Sequence, residues 1–143
     1  MEINIQQVLF VAGIAQIVLV IGSLAIPRVL KWRYELVKVS PLIKQMFWTY
    51  AAYILVINLC FGLLSTFDFQ ELTNSSMLAM LITGFIAMYW ISRVLVQIFY
   101  FDRTNFPSGN WNKFAEVLLV GLFIFLSIVY SWACYINYKQ TGL

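Results

Sequence analysis

The chain has 143 residues, of which 62% are hydrophobic and 10% are charged, and its mean hydropathy is +0.85. These values exclude an ordinary water-soluble domain, in which about a quarter of the residues are charged. The chain has no histidine, the commonest metal ligand and general base, and its two cysteines form no C-x-x-C pattern. We therefore expect neither a metal site nor a cofactor.

Four apolar segments account for most of the length: residues 5–26, 45–66, 77–101 and 114–136. Each is long enough as a helix to cross about 30 Å of hydrocarbon at about 1.5 Å per residue. They predict an all-α integral membrane protein, an antiparallel four-helix transmembrane bundle with short loops, in a single domain over residues 1–143.

The first apolar segment has no lysine or arginine before it, whereas a cleaved secretory signal has a basic region there. This pattern predicts an uncleaved span with the N-terminus outside. Gln16 lies near its centre, and Ala12 and Gly13 lie on the same side, where small side chains allow another helix to come close.

Residues 27–44 carry five basic side chains against the single acid Glu35. Apolar and aromatic residues between the bases predict a short interfacial helix, and Ser40 followed by Pro41 predicts the start of the next helix. This basic loop is either a patch for anionic lipid or nucleic acid, or ordinary topogenic charge with an aromatic anchor. We favour topogenic charge and expect no nucleic-acid partner.

The third segment contains Arg93, the only basic residue within the four apolar segments. A charge in hydrocarbon costs several kcal/mol unless it is paired or reaches water. On a regular helix Tyr89, Gln97 and Tyr100 share its side, and the loop after this segment leads to Glu116 in the fourth. We expect Arg93 to pair with Glu116 or with Asp102.

These residues define a candidate site with two interpretations. One is a lipid-headgroup or anion pocket formed by Arg93, Tyr89, Gln97, Tyr100 and Glu116. The other, which we favour, is a polar contact that orients the helices while the arginine extends to the interface. Aromatic residues are concentrated near the C-terminal end of the third segment: Phe99, Tyr100, Phe101, Phe106 and Trp111. They fit either an apolar pocket for a lipid tail or quinone, or plain contact with lipid.

Three uncharged polar residues, Gln16, Asn58 and Ser127, could meet near the middle of the bundle. We interpret them as interhelical hydrogen-bonding residues rather than the lining of a cavity. A buried asparagine needs a partner, so Asn58 should face a neighbouring helix. For Cys60 and Cys134, buried free thiols are favoured over a disulfide.

Basic residues are distributed unevenly between the two sets of connections. The N-terminal tail, the loop between the second and third spans and the C-terminal tail carry only Lys139. The loop between the first and second spans and the loop between the third and fourth spans together carry seven bases: Arg28, Lys31, Arg33, Lys38, Lys44, Arg103 and Lys113. The positive-inside rule therefore predicts a multi-pass cell-membrane protein with both termini outside, and we expect a bacterial inner membrane.

Three functional classes remain. The favoured one is a non-enzymatic accessory or scaffold subunit of a membrane complex, partnered by membrane lipids and by either another membrane protein or further copies of itself. The second is a lipid or hydrophobic-anion binder or carrier that uses Arg93 at the cytoplasmic ends of spans 3 and 4. The third is a membrane enzyme that acts on lipid or isoprenoid substrates. It would depend on Glu116, Asp102 and Arg93, and these three residues are few candidates for an acid, a base and an anion contact.

Overall fold

The structure, a computed structural model, describes residues 3–102, 104 and 109–142. Every regular element in these ranges is helical. The α-helices are α1 (Ile5–Ser23), α2 (Ile26–Val29), α3 (Trp32–Glu35), α4 (Pro41–Phe67), α5 (Met77–Leu95) and α6 (Asn110–Thr141). Two short 3₁₀ turns cover Leu36–Lys38 and Glu71–Thr73, and a π-helical turn at Val96–Tyr100 continues α5.

Four helical stretches are long and apolar enough to cross a membrane: Ile5–Val29, Pro41–Phe67, Met77–Tyr100 and Asn110–Thr141. The first, second and fourth extend beyond the predicted apolar segments. This difference has a simple cause, since a helix ends where its caps are and not where its apolar residues stop. The predicted start at Ser40 is confirmed, because the Ser40 hydroxyl accepts the Ile43 N–H at 3.5 Å and Pro41 is the first helical residue.

The basic loop differs from the predicted single interfacial helix. It is divided into α2, α3 and a 3₁₀ turn. Pro27 lies in the first turn of α2, and Lys31, between α2 and α3, has φ 53° and ψ 42° in the left-handed region. A non-glycine residue in that conformation reverses the chain direction locally and cannot continue a right-handed helix. The basic loop therefore folds back on itself instead of extending as one rod.

The long helices pack as two close pairs, α1 with α4 and α5 with α6, and α1 also contacts α6. Gly13 allows the first pair to come together. A Cβ atom on Gly13 would lie 2.7 Å from the Thr66 backbone nitrogen and 2.9 Å from the Gly62 oxygen. The small-residue contact predicted for the first span is confirmed, with backbone lying against backbone.

The core lies between these pairs. On α5 the small side chains of Ala79, Thr83 and Ala87 are buried, beside Ile86 and Trp90. The buried apolar residues form one cluster: Leu9, Ala12, Leu72, Ile86, Ala87, Trp90, Phe123, Leu126, Val129, Tyr130 and Ala133.

Burial is confined to part of each long helix. On α4 the buried residues begin at Asn58, on α5 they end at Trp90, and on α6 they begin at Phe123. Residues 41–57, the π-helical turn and residues 110–122 contain no buried residue. The tightly packed core therefore stops at the level of Trp90 and Phe123, which are in ring contact at 5.3 Å between centroids.

We expect Gly13→Ala to lower the free energy of unfolding by about 1–3 kcal/mol, because the added methyl group meets rigid backbone. Gly22→Ala, in the same helix, is the matched control, since a Cβ there would have nothing within 4 Å. Its effect should stay within about 0.5 kcal/mol. Unfolding in mixed detergent measures both, and equal stability of the two variants would contradict the close approach at Gly13.

Candidate anion-binding site and interior hydrogen bonds

Arg93 lies in the last turn of α5, one turn beyond the end of the packed core. Its side chain is half-buried, and its guanidinium carbon is 5.4 Å from the centroid of the Phe123 ring. The Arg93 Nε atom is buried and has no hydrogen-bond partner in the described part of the chain. The arginine is therefore held against an aromatic face and keeps a donor available in apolar surroundings.

The predicted pairing of Arg93 with Glu116 or Asp102 is not observed. Within residues 3–102, 104 and 109–142 the one ion pair joins Lys38 to Glu35 at 3.2 Å. Asp102 follows Phe101, whose backbone is extended, and accepts the Thr104 backbone N–H at 2.9 Å. This hydrogen bond lowers the pKa of Asp102 below its usual range. Glu116 is half-buried on α6 and lies beyond ion-pairing distance from Arg93.

Tyr89 forms one side of the region around Arg93. Its hydroxyl donates to Asn58 Oδ1 at 2.7 Å, a bond that joins α5 to α4. Its ring makes edge-to-face contacts with Phe61 and Trp90, with centroid distances of 5.3 and 5.2 Å. The prediction that Asn58 faces a neighbouring helix is confirmed.

The polar side predicted for the third span does not continue to Tyr100. Gln97 is half-buried in the π-helical turn, whereas Tyr100 is 81% exposed. A π turn adds a residue to the helical repeat, so positions beyond it rotate away from the side that Arg93 occupies. The structure brings Tyr89 and Arg93 together and leaves Tyr100 outside.

The aromatic residues expected near this end of the third span are exposed where the structure describes them, as Phe99, Tyr100, Phe101 and Trp111. Their exposure favours surface contact over an enclosed apolar pocket. Phe106 lies outside the described residues.

Trp90 adds a second unpartnered donor beside Arg93. Its indole is fully buried, and Nε1 has no hydrogen-bond partner in the described ranges. Both Trp90 and Arg93 contact the ring of Phe123. Two buried N–H donors on successive turns of one helix leave a local excess of donors over acceptors.

Tyr130 connects three helices in the interior. Its hydroxyl is hydrogen-bonded to Gln16 Nε2 on α1 and to Ser65 Oγ on α4. All three residues have zero exposure. Tyr130 follows Phe123 by seven positions, so its helical side could be predicted, but the reach of its hydroxyl to two other helices could not.

The predicted meeting of Gln16, Asn58 and Ser127 does not occur, since each bonds elsewhere. Gln16 bonds Tyr130 and Asn58 bonds Tyr89, and both bonds are interhelical. Ser127 donates to the Phe123 carbonyl at 2.8 Å, within its own helix. Serine satisfies itself in this way in apolar helices because the carbonyl four residues earlier is within reach.

A second interior contact, which the sequence pattern did not indicate, ties α6 to the connection between α4 and α5. Asn137 Nδ2 donates to the Leu72 carbonyl at 2.7 Å, and Asn137 Oδ1 accepts the Ser75 N–H at 3.2 Å. The connection between α4 and α5 has no long helix in which its backbone groups could pair. The two bonds from Asn137 satisfy some of these groups.

Cys60 and Cys134 are free thiols. Cys134 is half-buried and donates to the Met80 carbonyl at 3.5 Å. The expected burial of Cys60 is wrong, because its side chain is exposed. The described residues contain no group of three or more metal-ligating side chains.

Comparisons of the chain with protein-family models, curated proteins and solved structures gave no match. The chemistry of the site therefore rests on its own geometry. A cation and a phenol at the edge of a packed core, with unpartnered N–H donors beside them, are suited to binding an acceptor-rich, negatively charged group.

We expect Tyr130→Phe to lower the free energy of unfolding by about 1–2 kcal/mol, because Gln16 and Ser65 lose a shared partner inside the bundle. Tyr135→Phe is the matched control, since Tyr135 lies on the same helix and is 61% exposed. It should change stability by less than about 0.5 kcal/mol. Denaturant titration in detergent compares the two, and an unchanged Tyr130→Phe protein would show that the hydroxyl contributes nothing.

Proposed function

We propose that this chain is a multi-pass membrane protein that binds the anionic head of a lipid, or of another hydrophobic anion, at Arg93. Its four long helices cross the membrane as an antiparallel bundle with both termini outside. The observation that carries the proposal is the buried Arg93 Nε, which has no hydrogen-bond partner in the described ranges. A buried donor on a charged group is costly to leave unmet, and an anionic oxygen is the kind of acceptor that satisfies it most strongly.

The depth of Arg93 supports a headgroup ligand. Sixteen residues separate Met77, the first residue of α5, from Arg93. At about 1.5 Å per residue they span roughly 24 Å of a hydrocarbon layer about 30 Å thick. Arg93 then lies a few ångströms from the inner boundary, within reach of a phosphate or carboxylate of that leaflet.

The surroundings of Arg93 favour a ligand with an apolar tail. Helix α4 has no buried residue before Asn58, so the faces beyond the packed core are free for an acyl or isoprenoid chain. The Phe123 ring lies against the Arg93 guanidinium, and Tyr89, one turn earlier on α5, packs on Phe61. Binding is favoured over catalysis because no carboxylate is paired with Arg93 in the described part of the chain.

An accessory or scaffold subunit is the second candidate. What supports it is residues 41–57 of α4, a stretch of about five turns without a buried side chain. Such a face can be covered by another membrane protein or by a further copy of this chain.

We expect wild-type protein extracted in mild detergent to retain a lipid-sized adduct in native mass spectrometry, and Arg93→Gln to lose most of it. Losing a charge-assisted hydrogen bond should weaken binding about tenfold or more. Lys113→Gln is the matched control, because it removes one exposed positive charge elsewhere. It should keep the adduct.

Two results would count against anion binding at Arg93. One is wild-type protein without any adduct, and the other is an adduct of equal occupancy on Arg93→Gln. If wild type and Arg93→Gln both carry another polypeptide instead, the accessory-subunit function takes its place.

The proposed orientation in the membrane can be tested by cysteine labelling. In a Cys60→Ser, Cys134→Ala background, a cysteine replacing Lys139 should react with a membrane-impermeant maleimide in intact cells, because the C-terminus lies outside. A cysteine replacing Lys113 should react only after the cells are permeabilised. The reverse labelling pattern would place both termini inside.

A further inference from the structure

An open cavity of about 840 Å³ lies at the surface where the basic loop meets α4. Arg28, Lys31 and Arg33 line it, together with the aromatic rings of Tyr34 and Trp48. Leu24 and Pro27 complete its lining. No acidic residue is among these seven, so the cavity combines three positive charges with an apolar and aromatic wall.

Two features hold the cavity in shape. Lys31 occupies the left-handed backbone region, which turns the chain sharply between α2 and α3. Trp32 then packs edge-to-face on Phe47 and Trp48 of α4, with centroid distances of 4.8 and 5.8 Å. The three cations are therefore carried on a bend that is anchored to a long helix.

The charge of the cavity is not balanced within the basic loop. Glu35 is its one acidic residue, and Glu35 is paired with Lys38, which does not line the cavity. Three like charges around one space repel one another. An anion with more than one negative group removes this repulsion and can accept hydrogen bonds from both arginines.

We propose that this cavity binds an anion bearing two phosphate groups, such as the headgroup of a bisphosphate lipid or a soluble diphosphate. Nineteen residues separate Ile5 from Leu24, which places the cavity roughly 28 Å along the axis of the first span. This is the depth of the headgroup layer if the helices span the membrane as proposed. Tryptophan and tyrosine prefer that layer.

This site is separate from Arg93. It is built from the loop between α1 and α4, and Arg93 is not among its lining residues. The two sites can therefore be tested independently. Loss of Arg93 should leave binding in the cavity unchanged, and loss of the cavity charges should leave the Arg93 adduct in place.

The experiment measures binding of tetraoleoyl cardiolipin to delipidated protein in detergent by native mass spectrometry, with dioleoyl phosphatidylglycerol as the single-phosphate, anionic comparison. All proteins compared, the reference called wild type included, carry Arg93→Gln so that the Arg93 site does not contribute. The cavity variant is Arg28→Gln with Lys31→Asn, because asparagine tolerates the left-handed backbone. The control is Lys44→Gln with Lys113→Gln, which removes the same charge from two exposed residues outside the cavity.

We expect wild type to prefer cardiolipin, the cavity variant to bind it about tenfold more weakly or worse, and the control to stay within about twofold. Inorganic pyrophosphate as competitor distinguishes the sources. If it displaces cardiolipin from the wild type, the site takes a soluble diphosphate, and if it does not, the site takes the lipid. Both outcomes support a site for two phosphate groups.

Equal weakening of cardiolipin binding in the two double variants would overturn the proposal, because it would reflect general charge and not a site. Equal affinity of wild type for phosphatidylglycerol would overturn it as well. Circular dichroism checks the helix content of each variant. If the cavity variant falls below the wild type, Arg33→Gln replaces it, since Arg33 is exposed and its backbone lies in α3.

Discussion

The structure depends on one constraint, that polar side chains inside an apolar bundle must satisfy one another. Tyr130 on α6 is the clearest example, because its hydroxyl is hydrogen-bonded to both Gln16 on α1 and Ser65 on α4. One side chain thus joins three helices. Gly13 lets α1 approach α4 closely in the same region of the bundle. Helix association in an apolar medium lacks a hydrophobic driving force, so close packing and shared hydrogen bonds must replace it.

This packing is uneven along the helices, and the unevenness defines the candidate site. Close contacts extend from the connection held by Asn137 to the level of Trp90 and Phe123. Beyond that level the long helices bury no residue in the described ranges. Arg93 lies one turn past the boundary, where its charge is neither surrounded by core nor free in the medium. A charge in such a place keeps most of its electrostatic strength and can still be reached by a ligand.

Both proposed sites depend on arginine or lysine near the same end of the proposed bundle. A positive excess there is expected of any multi-pass protein, because it sets orientation in the membrane. What distinguishes the basic loop is its geometry: the bend at Lys31 and the packing of Trp32 on α4 gather three charges around one cavity. The same residues can therefore orient the protein and bind an anion, since the first property depends on net charge and the second on its arrangement.

The sequence by itself determined the all-helical class, the four apolar helices, the Ser40 cap and the small-residue side of the first span, because these follow from local periodicity and capping chemistry. It also indicated that Asn58 needs a partner. Only the tertiary structure decided which partner each polar group has. Tyr130 serves Gln16, Ser127 bonds within its helix, and Arg93 has no carboxylate partner in the described ranges. The π-helical turn that rotates Tyr100 away from Arg93 and the left-handed backbone at Lys31 were likewise decided only by the tertiary structure. Such features depend on interhelical distances and on the number of residues per helical turn, which side-chain spacing alone does not specify.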